Sequence, residues 1–136
     1  MTASKRVAKL VIIDSEDNYL LMYRSDHPEF GEDPDLPGGT LEDGEEPLGA
    51  MIREVQEEAG VDINPTLAKR LYIGKEYSKS GTEYSLYIAK LSERPTITMS
   101  WEHSSYEWLS KDEFQERAKS AKDTYMHMVH DVLAEQ

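Results

Sequence analysis

Residues 39–61, GTLEDGEEPLGAMIREVQEEAGV, constrain the fold more than any other part of the chain. Pro47 suits the first turn of a helix, where its missing N–H would have had no partner, and Gly60 suits a left-handed stop. Between them Leu48, Met51, Ile52, Val55 and Ala59 recur at helical spacing and predict one buried stripe over residues 47–59. Glu54, Glu57 and Glu58 stand at i, i+3 and i+4, so the helix gathers them on one side, expected to face outward from that core. Like charges one turn apart destabilise a bare helix by roughly 0.2–0.5 kcal/mol per pair. A Glu-rich helix is ordinarily a solvated face with basic partners, but Arg53 is the sole cation within this one. A hard divalent cation reverses the sign of the repulsion, and an all-oxygen ligand set suits magnesium, with manganese as a substitute.

The flanking residues sharpen this reading. Upstream, Asp35-Leu36-Pro37-Gly38-Gly39 is a turn whose glycines allow backbone groups to approach a ligand closely. From Gly39 the chain runs through five residues to Glu45, seven more to Arg53-Glu54-Val55, one to Glu57-Glu58, and one to Gly60-Val61. The pattern G-x5-E-x7-R-E-U-x-E-E-x-G-U, with U aliphatic, is satisfied at every specified position, and on it the chain resembles the Nudix hydrolases.

Composition bounds the alternatives. A chain of 136 residues has room for one core, so a single domain over residues 1–136 is expected. Fifteen basic against 27 acidic residues give a net charge of −12, which argues against binding polymeric nucleic acid. The same charge repels free nucleotides, so a nucleotide site here needs a bound cation and local Lys or Arg. The chain has no cysteine, which removes disulfides, thiolate zinc sites and a thiol nucleophile. Residues 7–13 form a short apolar run interrupted by Lys9 and closed by Asp14, which reads as a strand rather than a leader, and the protein as cytoplasmic.

Residues 7–13 and 19–23 are expected to form a hairpin across the turn at residues 14–18. Residues 25–37, with three prolines and a glycine, are expected to be a long functional loop. Further strands are expected at residues 67–76, 83–91 and 106–109, with a short edge at 97–99. Ser110 to Glu113 has the form of a capping box opening a helix to about residue 118, and a last helix is expected over residues 123–134. This order implies an α/β domain with a mixed β-sheet sandwiched between helices. The Nudix resemblance implies the same architecture.

That resemblance implies hydrolysis of a phosphoanhydride bond in a nucleoside diphosphate linked to a group X. It makes Glu54, Glu57, Glu58 and the Gly38 carbonyl metal ligands, Arg53 an orienting partner of a motif carboxylate, and Glu45 a support of the metal site. Glu45 also reads simply as an acidic residue favoured near a helix N-terminus. Beyond the motif, the resemblance points to Glu102, in the loop before the last strand, as a residue that reaches the metals or activates water; His103 beside it reads as an exposed loop histidine or, alternatively, as a base. It points to Arg24 near the substrate phosphates and to Tyr77 as a substrate contact. Other strand tyrosines, Tyr72, Tyr84 and Tyr87, are candidates to stack on a base. Pro34 stands where many relatives have tryptophan, and Glu76 and Tyr77 stand where many ADP-ribose hydrolases have proline. The expectation is a house-cleaning nucleoside triphosphate pyrophosphohydrolase. The alternatives are a dinucleoside polyphosphate or nucleotide-sugar hydrolase and, in another class, a silent nucleotide sensor. A homodimer is compatible with the sequence, though nothing in it demonstrates one.

Overall fold

The computed structural model describes residues 5–25 and 31–136, so residues 26–30 of the expected 25–37 loop and the first four residues lie outside the described residues. Strands β1 (Arg6–Ile13), β2 (Tyr19–Arg24), β3 (Pro34–Asp35), β4 (Gly38–Thr40), β5 (Lys69–Gly74), β6 (Glu83–Lys90) and β7 (His103–Leu109) form one sheet. Helices α1 (Pro47–Ala59), α2 (Lys111–Lys119) and α3 (Thr124–Ala134) cover it. The path runs β3-β2-β1-β6-β5, with β4 on β1 and β7 on β2; β1 and β6 are parallel and the other pairs antiparallel.

Alternation along β1 divides the core in two. Ala8, Leu10 and Ile12 pack with Met51, Val55 and Ala59 of α1, while Val11 and Ile13 pack with Phe114, Met126, Val129 and Leu133 of α2 and α3. The sheet is therefore a layer between helices, and the mixed sandwich expected from the sequence is present. Among the described residues no helix is long and apolar enough to cross a membrane.

The hairpin has a consequence for the site. β1 and β2 are in register at Ile13 and Tyr19, but further along each has a different neighbour. β3 pairs Met22 and Tyr23 of β2, while β4 pairs Val7, Ala8 and Lys9 of β1. Residues 34–40 thus enter between the two strands as a wedge, with the Leu10 N–H donating to the Pro37 carbonyl at 3.0 Å. Part of the expected loop is therefore sheet. Gly38 (φ +134°) is required there, because a Cβ would lie 2.1 Å from the Ala8 carbonyl oxygen.

Helix α1 has the expected limits, with Pro47 in its first turn and Gly60 at φ 71° donating its N–H to the Gln56 carbonyl. The Ser110 hydroxyl accepts the Glu113 N–H at the start of α2, as a capping box requires. Three expectations are corrected. Residues 97–99 form no strand, because the Thr98 and Ser100 N–H groups donate to the Ala59 and Glu58 carbonyls at the end of α1. Pro65–Leu67 turn as a short 3-10 helix capped by Asn64, which shortens the expected 67–76 strand to β5. His103 opens β7 rather than sitting in a loop.

Candidate functional site

A cleft of about 970 Å³ opens where the wedge meets α1, the turn before β7, the start of α3 and the β5–β6 loop. Glu54, Glu58 and Glu102 lie on its wall together with Gly38 and Gly39. Glu58 is 5% exposed, which corrects the expectation that all three helix carboxylates face outward. It lies on the side of α1 that closes onto β4, and its Oε2 accepts the Gly38 N–H at 2.8 Å. Burial raises the Glu58 pKa well above the usual carboxylate range; a hydrogen bond shared with Glu102 adds to this, against the pull of Lys9. Burial also raises the Glu54 pKa, partly offset by Arg53 and reinforced by Glu57 and Glu102. Glu102, assigned from outside the motif, thus faces two motif carboxylates.

Glu57 sits differently. Its side chain is 54% exposed, and it accepts from Arg53 Nη1 at 3.2 Å. Arg53 is a hub: Nε and Nη2 bind the two oxygens of Glu45 at 2.9 and 2.8 Å, and Nη1 reaches Glu54 at 2.9 Å. The Glu45 carboxyl is held down to about 2, first by that hydrogen bond from Arg53 and then by the Glu42 N–H. Glu45 accepts that N–H at 2.7 Å, so it joins the segment before α1 to the face of the helix.

These groups fit a hard divalent cation in chemistry. Glu54, Glu58, Glu102 and Gly38 line one wall and supply carboxylate and carbonyl oxygen donors, and burial disfavours the anionic form of two of the carboxylates, which a divalent cation would favour. Among the described residues no three acidic or histidine side chains already converge as a cation cage. Arg53 holds Glu54 and Glu57, and Gly38 holds Glu58.

Beside these groups on the cleft wall is a buried ionic network centred on Asp35. Lys9 Nζ donates to Asp35 at 3.1 Å, the Leu36 carbonyl at 3.0 Å and the Gly38 carbonyl at 3.4 Å. Burial opposes the charge on Lys9, but Asp35 and Glu58 outweigh it and raise its pKa. His103 Nε2 lies 2.9 Å from the other Asp35 oxygen, and the Tyr125 hydroxyl binds Asp35 while accepting the Leu36 N–H. Burial would raise the Asp35 pKa, yet Lys9, His103 and Arg24 hold it far below the carboxylate range. His103 was expected to be exposed and is 5% exposed, a partner of this network.

Arg24 ends β2 at the cleft, with Nη2 2.7 Å from Asp123 and 3.8 Å from Asp35. Tyr77 lies elsewhere: its hydroxyl donates to Asp131 at 2.7 Å, its ring meets Tyr72 edge-on at 6.3 Å, and it is not one of the described residues walling the cleft. Tyr87 is buried and Tyr72 binds Glu76, which leaves Tyr84 as the strand tyrosine at the wall.

Sequence reasoning missed Lys9, Asp35, Asp123, Tyr125 and Trp101 as members of the site. Lys9 carried a signal, as a charge at a position where β1 alternation turns a side chain toward α3. Asp123 and Tyr125 carried none, since only the chain's return brings them back. Lys5, Lys9, Arg24, Lys79 and Lys122 offset Asp35, Glu54, Glu58, Glu102 and Asp123 on the cleft wall, which is therefore formally neutral. In a chain of net charge −12, that balance meets the requirement for local cations.

The NUDIX domain family model matches residues 4–129. An 8-oxo-dGTP diphosphatase from Proteus vulgaris is 40% identical over 57 residues, covering 42% of this chain and 51% of that protein, so the chain spans about half the length of the curated relative it matches. Among solved structures, a C. elegans Ap4A hydrolase in a binary complex superposes with a TM-score of 0.71 at 22% identity, covering 95% of this chain and 93% of its own. A bifunctional NMN adenylyltransferase/ADP ribose pyrophosphatase from Francisella tularensis, complexed with AMP and a manganese ion, matches with a TM-score of 0.71 at 20% identity, over 99% of this chain and 42% of its own. At such identities the structural matches establish the fold.

Proposed function

We propose, from the premise that this chain belongs to the NUDIX domain family, that it hydrolyses a phosphoanhydride bond in a small nucleotide, releasing a nucleoside monophosphate and pyrophosphate from a nucleoside triphosphate. The observation that carries the reading is the wall on which Glu54 and Glu58 meet Glu102 beside the Gly38 carbonyl. Nudix enzymes generally use a divalent metal, and magnesium is the cation proposed here. Glu54, Glu58 and the Gly38 carbonyl on that wall would hold it, joined by Glu57, which stands outside the wall in the Arg53 hub; once bound, it would supply charge neutralisation on the phosphate oxygens and lower the pKa of water.

The chain's own groups account for the rest. Arg53 orients Glu54 and Glu57 and is itself oriented by the Glu45 fork. Glu102 is the candidate to accept a proton from the attacking water, since it lies beside Glu58 yet outside the Arg53 hub. Lys9, which donates to Asp35 and to the Leu36 and Gly38 carbonyls, fixes the wedge and with it the Gly38 carbonyl. Arg24, tied to Asp123 but open to the cleft, and Lys79 and Lys122 face the phosphates. The 40% match to an 8-oxo-dGTP diphosphatase supports a nucleoside triphosphate as substrate.

Incubation of the protein with a panel of nucleoside triphosphates, dinucleoside polyphosphates and nucleotide sugars in magnesium, with product analysis, tests the proposal. Monophosphate and pyrophosphate in equal amounts from a triphosphate is the expected result. Orthophosphate as the product, or hydrolysis indifferent to chelator, overturns it, and tight nucleotide binding without turnover identifies a sensor.

A further inference from the structure

Trp101 is 83% exposed, the most exposed of the large hydrophobic side chains among the described residues, and it lies at the cleft. Its backbone position is nonetheless fixed. The Glu102 carbonyl accepts the Ser25 N–H at 2.9 Å, the Ser100 hydroxyl accepts the Glu102 N–H, and the Ser100 carbonyl accepts the His103 N–H. The indole makes no hydrogen bond or ring contact among the described residues. A pinned turn that holds a bare tryptophan in water beside a charged cleft has no account in folding, because the side chain buries almost nothing.

The other aromatic groups on the wall are already engaged. Tyr84 and Tyr125 stack on each other at 5.1 Å and 9°, and Lys9 and Arg24 lie over the Tyr125 ring at 5.4 and 5.9 Å. The remaining described residues of the wall are charged or hydroxyl-bearing side chains, His103, two glycines and Val7, so Trp101 presents the one unengaged aromatic face among them.

We infer that Trp101 is the platform on which the nucleobase of the substrate stacks, one residue from Glu102, which makes it a specificity-determining residue selecting purine over pyrimidine nucleotides. The inference rests on the nucleotide reading given above. Stacking depends on the shared flat area, so a purine gains more than a pyrimidine and a baseless phosphate gains nothing. At about 1–3 kcal/mol per stacked base, loss of the indole weakens nucleotide binding by roughly 5- to 150-fold.

Nucleoside 5′-monophosphates test this without turnover. The chain has two tryptophans, and Trp108 is half-buried with the Arg94 guanidinium 5.2 Å from its ring, so fluorescence quenching on nucleotide addition reports chiefly on Trp101. Calorimetry in magnesium gives affinities for AMP, GMP, UMP, ribose 5-phosphate and pyrophosphate. The expected result is quenching by nucleotides with purines tightest, at least about fivefold weaker nucleotide binding in Trp101→Ala with pyrophosphate affinity retained, and recovery of most of the loss in Trp101→Phe. Equal nucleotide affinity in wild type and Trp101→Ala overturns the assignment, as does binding of AMP no tighter than ribose 5-phosphate, or no nucleotide binding at all. Hydrolysis with an indifferent Trp101→Ala refutes the platform and leaves the hydrolase reading intact; quenching and the Trp101→Ala loss without hydrolysis do the reverse.

Discussion

Replacing Asp14 with asparagine separates two contributions of one buried carboxylate. Oδ1 accepts the Glu16 and Asn18 N–H groups, each at 2.9 Å, and Oδ2 accepts Arg94 Nε at 2.8 Å and the Asn18 amide at 3.4 Å. Asparagine keeps an oxygen at the first position but sets an NH2 against donors at the second. Burial would raise the Asp14 pKa, but the donors prevail and lower it from 3.8 to about 2. At about 1.36 kcal/mol per pH unit that difference is worth about 2 kcal/mol of folding free energy. The folded pKa is the lower one, so this stability is present above about pH 4 and is lost as pH falls through about 2, with roughly half gone near pH 3. Urea unfolding of wild type and Asp14→Asn from pH 6 to pH 2.5 reads it directly. The gap between them is expected to be about 2 kcal/mol at the upper end and less than half of that at the lower. A gap of the same size at both ends refutes the charge argument. In Asp14→Ala two backbone N–H groups also lose their acceptor, so a deficit of about 1 kcal/mol or more should persist at every pH.

The remaining predictions concern the cleft. Glu102→Gln should lower kcat by about 10²- to 10⁴-fold if Glu102 handles the proton, and a wild-type rate and pH profile removes it from that role. Gly39→Ala should lower kcat while shifting the Tm little, because its Cβ would lie 2.6 Å from the Glu54 carboxyl, which can give way only by leaving its place and its partly exposed bond to Arg53; an unaltered kcat shows that Glu54's position is unimportant. Arg53→Lys cannot reproduce the two-pronged grip on Glu45 and should lose about 10- to 100-fold in activity or metal affinity, with unfolding shifted by no more than about 1 kcal/mol. Lys9→Met leaves Asp35 buried without its lysine partner and should cost about 3–5 kcal/mol in denaturant unfolding, whereas Arg6→Met, whose pair with Glu83 is exposed, should cost less than about 1.

The parts of the site legible in the sequence are those whose geometry is local. Pro47, the apolar stripe and Gly60 fix α1 by rules acting within a few residues, and so they fix which glutamates share a side. The hub of Arg53 with Glu54 and Glu57 lies within a single turn of that helix. Glu58 was misplaced because helical spacing gives the angle between carboxylates but says nothing of β4 closing over one of them. The strand expected at 97–99 failed for a related reason: its N–H groups were available to a sheet, but the uncapped carbonyls at the end of α1 were nearer.

The Asp35 network lies at the other extreme, and its members explain why. Lys9, Asp35, His103 and Tyr125 come from four separate elements, and each taken alone has an ordinary reading as a strand cation, a loop acid, an exposed imidazole or a core aromatic. Their meaning depends on the splay of β1 from β2, which admits residues 34–40 between the strands and brings the Asp35 carboxylate to Lys9. A buried ionic group of this kind is poor value as a source of stability, since apolar side chains of equal volume commonly do as well. Its placement is better understood through Gly38. That residue has no Cβ to anchor it, yet its N–H fixes Glu58 and its carbonyl is the proposed ligand. Lys9 binds Asp35 and reaches the Gly38 carbonyl, so the network supplies the rigidity that a glycine lacks. In the proposed site the motif glutamates would share a cation with a carbonyl that Lys9 holds in place.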